Sequence, residues 1–194
     1  MPDLKTHGIT ENTPNNILLG AGTFYKNLKH VAETGWSGEV LGATSGGGTV
    51  NIAPEYFKPE IDGATVAVKG MIWKVGDVAT IEANLTEFSE GVLVDVLHLK
   101  EDTASPITGY KKYVSVRQIT QDDYMDNIGY VGTLSDGRQV IIILENAICT
   151  GAMELSPKNK ENATYAVTFE CTATFEQADL EHLPYQIYYP QAVI

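Results

Sequence analysis

Glu82 and Glu170 are the first residues in this chain whose type and setting could do chemistry. Each stands inside an alternating stretch, "VATIEANLTEF" and "TYAVTFECTATF". Two carboxylates roughly 5 to 10 Å apart could hydrolyse a glycosidic bond, one as the acid and the other as base or nucleophile. The aromatic side chains that line a sugar cleft accompany neither glutamate on its own face. Asp122, Asp123 and Asp126 in "QDDYMD" offer oxygen ligands for calcium. The stretch lacks the loop glycine and closing glutamate of an EF-hand, which favours a solvated acidic loop. His7, His30, His98 and His182 are scattered, with no carboxylate or cysteine at zinc-ligand spacing. Cys149 and Cys171 form no CxxC and sit in apolar strands, where a thiol is inert and a reduced core residue is expected over a disulfide. "TSGGGT" lacks the Lys-Ser/Thr ending of a phosphate loop, and "GAGTFY" fails the dinucleotide fingerprint. The chemistry-bearing residues therefore point away from catalysis, and no metal or cofactor is expected.

The elements that would position these residues are mostly strands. In 164 to 175 one set is Thr164, Ala166, Thr168, Glu170, Thr172 and Thr174, and the other is Tyr165, Val167, Phe169, Cys171, Ala173 and Phe175. The second set belongs in a core. In 78 to 88, Thr80, Glu82, Asn84 and Thr86 oppose Ala79, Ile81, Ala83 and Leu85. The period then changes: Val92, Val96 and Leu99, with Leu93 and Leu97, predict a helix over about 88–99, capped by Ser89 with Glu87 and Glu90 near its N-terminus. Further strands are predicted at 16–27, 38–44 and 111–120, with strand material over 65–77 broken at Gly70 and Gly76. A hairpin is predicted through Asp136-Gly137, and a last pair at 146–155 with 163–175. Residues 1–15 read as a flexible arm, 26–35 as polar linker and 179–191 as irregular. "SGGG" breaks the chain at 45–48, and Pro54 and Pro59 confine the extended segment beyond it to an edge or a projecting loop. Many strands with one helix predict a single mainly β domain over 1–194, a β-sandwich or small barrel with a helix on its flank.

The 194 residues are 43% hydrophobic and 20% charged, enough for a sizeable core. The net charge of −12 argues against gripping a phosphate backbone or anionic lipid. The polar N-terminus has no apolar segment of a secretory signal, and no run approaches the ~18 apolar residues of a spanning helix. A cytoplasmic site of synthesis is expected.

Four segments, "NILLGAGTFYKNL", "LGATSGGGTVNIAPEYFKPEIDGATVAVKG", "ATIEANLTEFSEGVL" and "TYAVTFECTATF" with "LPYQIYYP", resemble in that order the major tail tube protein of long-tailed bacteriophages. Residues 100–135 carry none of the likeness. The resemblance implies a β-sandwich flanked by a helix, hexameric rings stacked into a hollow tube, and strands that join across subunits into one inner barrel. It implies a long loop, here about 44–63, that reaches a neighbour, and terminal segments that help join rings. The partners implied are other copies of the chain, a tape measure protein, and tail tip and tail terminator proteins. Genome DNA would pass through without specific binding, in a virion tail put together in the host cytoplasm. Tube subunits of phage-tail-like bacteriocins and contractile injection systems are the near alternative, and a carbohydrate-binding β-sandwich the distant one.

On this footing Thr164, Thr168, Glu170, Thr172 and Thr174 are expected to face the lumen, with Thr80, Glu82, Asn84 and Thr86 as a second candidate strip. Acidic side chains there would repel DNA phosphates. A solvent-facing exterior sheet alternates in the same way and stays open as the other reading. Val50, Ile52, Tyr56 and Phe57 on the arm need a surface to bury against, each contributing about 1.5 to 3 kcal/mol on full burial. Tyr185, Tyr188 and Tyr189 are expected inter-subunit contacts of the same kind.

Overall fold

A computed structural model describes residues 6–63, 65–104, 106–157, 159–177 and 183–191. The strands are β1 (Leu18–Val31), β2 (Gly35–Val40), β3 (Thr44–Phe57) and β4 (Trp73–Leu85). Helix α1 (Glu90–Leu97) follows, then β5 (Leu99–Glu101), β6 (Tyr113–Ser115), β7 (Met125–Leu134), β8 (Gln139–Cys149), β9 (Tyr165–Cys171) and β10 (Tyr185–Tyr188). Among the described residues the chain is mainly β with one α-helix, as its alternation predicts. One antiparallel sheet runs in the order β2-β1-β7-β8-β9-β4-β3, with β10 beside β8 and a separate β5–β6 pair. The sheet rolls on itself. Although β1 and β3 lie five places apart in that order, a Cβ on Gly47 would stand 3.4 Å from Ala21 and one on Gly48 2.6 Å from the Phe24 ring.

The core fills the concave side. Ala79, Ile81, Ala83 and Leu85 of β4 meet Tyr165, Val167, Phe169 and Cys171 of β9, with Phe24, Ile128, Tyr130 and Leu144 from the other half. The period-two stripes of "ATIEANL" and "YAVTFEC" place those residues on one face. Helix α1 closes one side with Val92 and Val96. Ser89 accepts a hydrogen bond from the Val92 amide (3.4 Å), and His98 ends the helix in a left-handed conformation. The ring of His98 donates to the Cys149 carbonyl at 3.0 Å, a fastening role. Lys26 projects from β1 to Asp95 of the helix at 2.7 Å, with Glu39 at 3.6 Å. Burial opposes the Lys26 charge, but Asp95 and Glu39 outweigh it and raise the pKa. A smaller apolar cluster of Leu28, Ile141 and Ile143 packs with Tyr25, Trp36 and Val131.

Several expected boundaries move. Residues 26–35 are not linker: β1 runs on to Val31, with a register shift between Lys26 and Lys29, and turns into β2. Their polar side chains suit a two-stranded ribbon at the end of the sheet, which hydrogen-bonds through its backbone. "SGGG" does not break the chain, because Gly46 and Gly47 take positive φ inside a continuous β3 and Gly48 lies against the β4 backbone. The strand predicted over 65–77 begins only at Trp73, and that over 111–120 shrinks to β6. Pairing of β8 with β9 is confined to Ala147–Cys149 against Phe169–Cys171. Ala173 and Phe175, expected in the core, are exposed, Phe175 at 88%. The strand ends because Thr172 turns its hydroxyl to the Asn146 carbonyl at 2.6 Å. The tail expected to be irregular supplies β10, which pairs with Ile141–Leu144.

Candidate functional site

Register settles how the two polar strips relate. Thr80 lies opposite Glu170, Glu82 opposite Thr168 and Asn84 opposite Ala166. Residues paired in this way point to the same face, so the two strips form one surface across β4 and β9. Strand β3 extends it, with Thr49 opposite Glu82 and Asn51 opposite Thr80. Thr49 and Asn51 are missing from the sequence-based set because the glycine run and the prolines assign β3 wholly to the arm. Their signal is the alternation in "TVNI", whose Val50 and Ile52 point the other way.

The surface is half-buried along β4 and β9, and beneath it Ala79, Ile81, Ala83, Leu85, Val167 and Phe169 are fully enclosed. Thr49, Asn51, Thr80, Glu82, Asn84, Thr168 and Glu170 carry two carboxylates and no basic group. Thr86 continues the β4 strip past the strand end, where its amide donates to the Ala43 carbonyl (2.8 Å). Thr164 precedes β9 and is exposed. Thr172 and Thr174 leave the face: the first bonds Asn146, and the second accepts from the Gln177 amide at 3.3 Å.

Chemically this is a face of hydroxyls, amides and carboxylates, with Ala166 among them. Glu82 and Glu170 sit on neighbouring strands, each opposite a threonine. Of the acidic loop, Asp123 caps Thr120 at 2.6 and 2.9 Å, and these bonds hold its carboxyl below the usual range. Among the described residues no group of three or more His, Cys, Asp or Glu is gathered as for a metal ion. Both thiols are free and buried, and burial raises the pKa of each, Cys171 to about 12. His182 lies outside the described residues.

The second feature is the far end of the β3–β4 ribbon. Val50 and Ile52 lie against the chain's own core, so this part of the expected arm is already covered. Beyond it the ribbon runs to Phe57 opposite Trp73, with a register shift between Glu55 and Tyr56. Tyr56 and Phe57 are more than half exposed, and Phe57 stacks on Trp73 with centroids 6.2 Å apart. Ile61, Val66, Val68 and Ile72 in the connection from β3 to β4, and Val75 on β4, are exposed as well. Lys74 reaches the enclosed Asp77 carboxylate at 2.6 Å beside the shift. The arm is thus a strand ribbon with a loop at its end, displaced toward higher numbers than 44–63.

The three tail tyrosines part company. Tyr185 packs on the core opposite Leu144. Tyr188 meets the edge of Trp36 at 4.8 Å. Tyr189 is exposed, with its hydroxyl 3.5 Å from Asn16.

No family model and no curated protein matches the chain. No helix among the described residues is long and apolar enough to cross a membrane.

Proposed function

We propose that the chain is a structural subunit that joins copies of itself into a hollow tube, of the kind that conducts the genome through the tail of a long-tailed bacteriophage. The single observation that carries this reading is the β3–β4–β9 wall. One of its faces is sealed in the core, and the other is a continuous polar surface with carboxylates and no base. Such a face, repeated around a ring, would let a polyanion slide without holding it, since no cationic groove condenses on phosphates. Two further features support self-association. β3 ends the strand order and, among the described residues, hydrogen-bonds to no strand on its outer side; past the approach of Gly47 to Ala21 of β1 its edge is open, and open edges invite pairing. The ribbon end exposes stacked aromatics that gain by burial. The partners of this reading are further copies of the chain, a tape measure protein inside the bore and proteins that close the two ends. Its setting is the virion tail, assembled in the host cytoplasm.

Negative-stain microscopy over a range of protein concentrations tests it. Rings or tubes of constant width are expected. The double change Phe57→Ser and Trp73→Ser should leave the folded monomer intact and prevent tubes. A chain that stays monomeric under all conditions and binds an oligosaccharide would replace this reading with the carbohydrate-binding one.

A further inference from the structure

The end segments of the described chain meet at one side chain. Arg138 leaves the turn between β7 and β8, where the Gly137 amide donates to the Leu134 carbonyl at 2.9 Å and the Leu134 amide to the Arg138 carbonyl at 2.8 Å. Its Nε donates to Asp136 Oδ2 at 2.5 Å, and its own amide to Asp136 Oδ1 at 3.0 Å, so the fork is held before it reaches anything distant. One terminal nitrogen then donates to the Pro190 and Gln191 carbonyls at 3.3 and 3.5 Å. The other donates to Asn16 Oδ1 at 3.2 Å. Asn16 also receives the Tyr189 hydroxyl, so the N- and C-terminal segments touch each other as well as the arginine. Ser135, in the same turn, adds bonds to the Pro14 and Ile17 carbonyls. A guanidinium has five donors in a fixed plane, and a lysine ammonium could not span three segments in this way.

We infer that Arg138 is a clasp that couples the two end segments, so that they are held together and released together. Each partner fixes the plane of the fork for the others, and losing either end loosens the hold on the remaining one. The consequence for assembly rests on the tube reading: freeing the clasp releases the segments 9–17 and 187–191 of a subunit in one step, and this step paces polymerisation. The coupling itself does not depend on that reading.

Hydrogen exchange of the full chain, followed by mass spectrometry, tests the coupling. Arg138→Gln should raise exchange severalfold in peptides covering 9–17 and 187–191, with β4 and β9 unchanged. Arg138→Lys, which keeps the charge and loses the fork, should do the same and serves if the glutamine variant does not fold. Asn16→Ala removes the acceptor shared by Arg138 and the Tyr189 hydroxyl, and Tyr189→Phe removes the direct bond alone; exchange in 187–191 should rise further in Asn16→Ala than in Tyr189→Phe. Protection of either end in both Arg138 variants, or a C-terminal rise in Asn16→Ala no greater than in Tyr189→Phe, overturns the clasp. Light scattering then tests the pacing step, with a severalfold shorter assembly lag expected for Arg138→Gln. Tubes that form with an unchanged lag overturn the pacing role. A wild-type chain that never assembles while Arg138→Gln frees both ends removes the tube reading and leaves the clasp standing.

Discussion

Gly48→Ala is the sharpest test of the polar wall, because Gly48 sets how closely β3 approaches β4. A Cβ at this position would stand 2.1 Å from the Glu82 carbonyl oxygen, 2.6 Å from Phe24 Cζ and 3.1 Å from Ala83 Cα. The Glu82 carbonyl is backbone, on a residue that also pairs with Thr168 of β9, so it cannot turn aside. Real Cβ atoms essentially never come within 3.0 Å, so β3 must retreat by about 1 Å. A ladder hydrogen bond near 2.9 Å that lengthens by about 1 Å is lost. Two such bonds are worth about 1 kcal/mol each, and crowding the enclosed Phe24 ring adds about 1 to 3 kcal/mol. The loss should come to about 3 to 5 kcal/mol, a large part of the roughly 5 to 15 kcal/mol a domain possesses. In urea, with a slope of about 2 to 3 kcal/mol per molar, the midpoint should fall by about 1 to 2.5 M. A fall below about 0.3 M at unchanged slope would refute the close approach, and with it the register that places Thr49 beside Glu82.

Gly91→Ala is the opposite case. A methyl there meets nothing within 4 Å, so it should stabilise the chain by up to about 1 kcal/mol through helix propensity, measured as a higher urea midpoint. Burial raises the Cys171 pKa to about 12 against an ordinary thiol value of 9.0. The stability linked to it is therefore complete below pH 9 and is lost as the pH rises through about 12. Cys171→Ala should lose less stability than the parent chain over that interval, seen in urea midpoints, and both native thiols should resist thiol reagents at pH 8 until the chain unfolds. That low background permits a test of which way the polar wall faces. A Thr168→Cys chain should react with a polymer-linked maleimide when free and be protected once assembled, whereas equal reaction in both states would put that face on the outside.

The parts of this fold legible in the sequence are those where local pattern and tertiary role coincide. From Ala79 to Leu85 of β4 and from Tyr165 to Cys171 of β9, the apolar set Ala79, Ile81, Ala83, Leu85, Tyr165, Val167, Phe169 and Cys171 is enclosed, and the polar residues between them stand on the other face. Ser89 announces the helix because its hydroxyl can serve the free amides of the first turn, and Asp136-Gly137 announces the β7–β8 turn. Where the two diverge, pattern misleads. The glycine run at 46–48 carries the mark of a break, yet its residues supply positive φ and a close approach within a strand. Phe175 continues an alternation whose strand has already ended, because the Thr172 hydroxyl bonds the neighbouring strand instead of facing out. That the strips of β4 and β9 are one surface was not available from sequence at all. It depends on strand order, which joins residues more than eighty positions apart. The role of Arg138 was likewise hidden, since its partners stand at positions 16, 136, 190 and 191.

Strand β1 pairs with β7, placing Leu18 opposite Leu134 and Phe24 opposite Tyr130. During synthesis, β1 therefore leaves the ribosome about a hundred residues ahead of its partner, which at about 5 to 20 residues per second is a wait of roughly 5 to 20 s. Ile17, Leu18, Leu19 and Phe24 are without their sheet for that time, while the β3–β4 ribbon, whose two strands adjoin in sequence, has already closed. The nascent chain is thus most open to misassociation at its first strand, and slower translation of residues 30–125 lengthens that exposure.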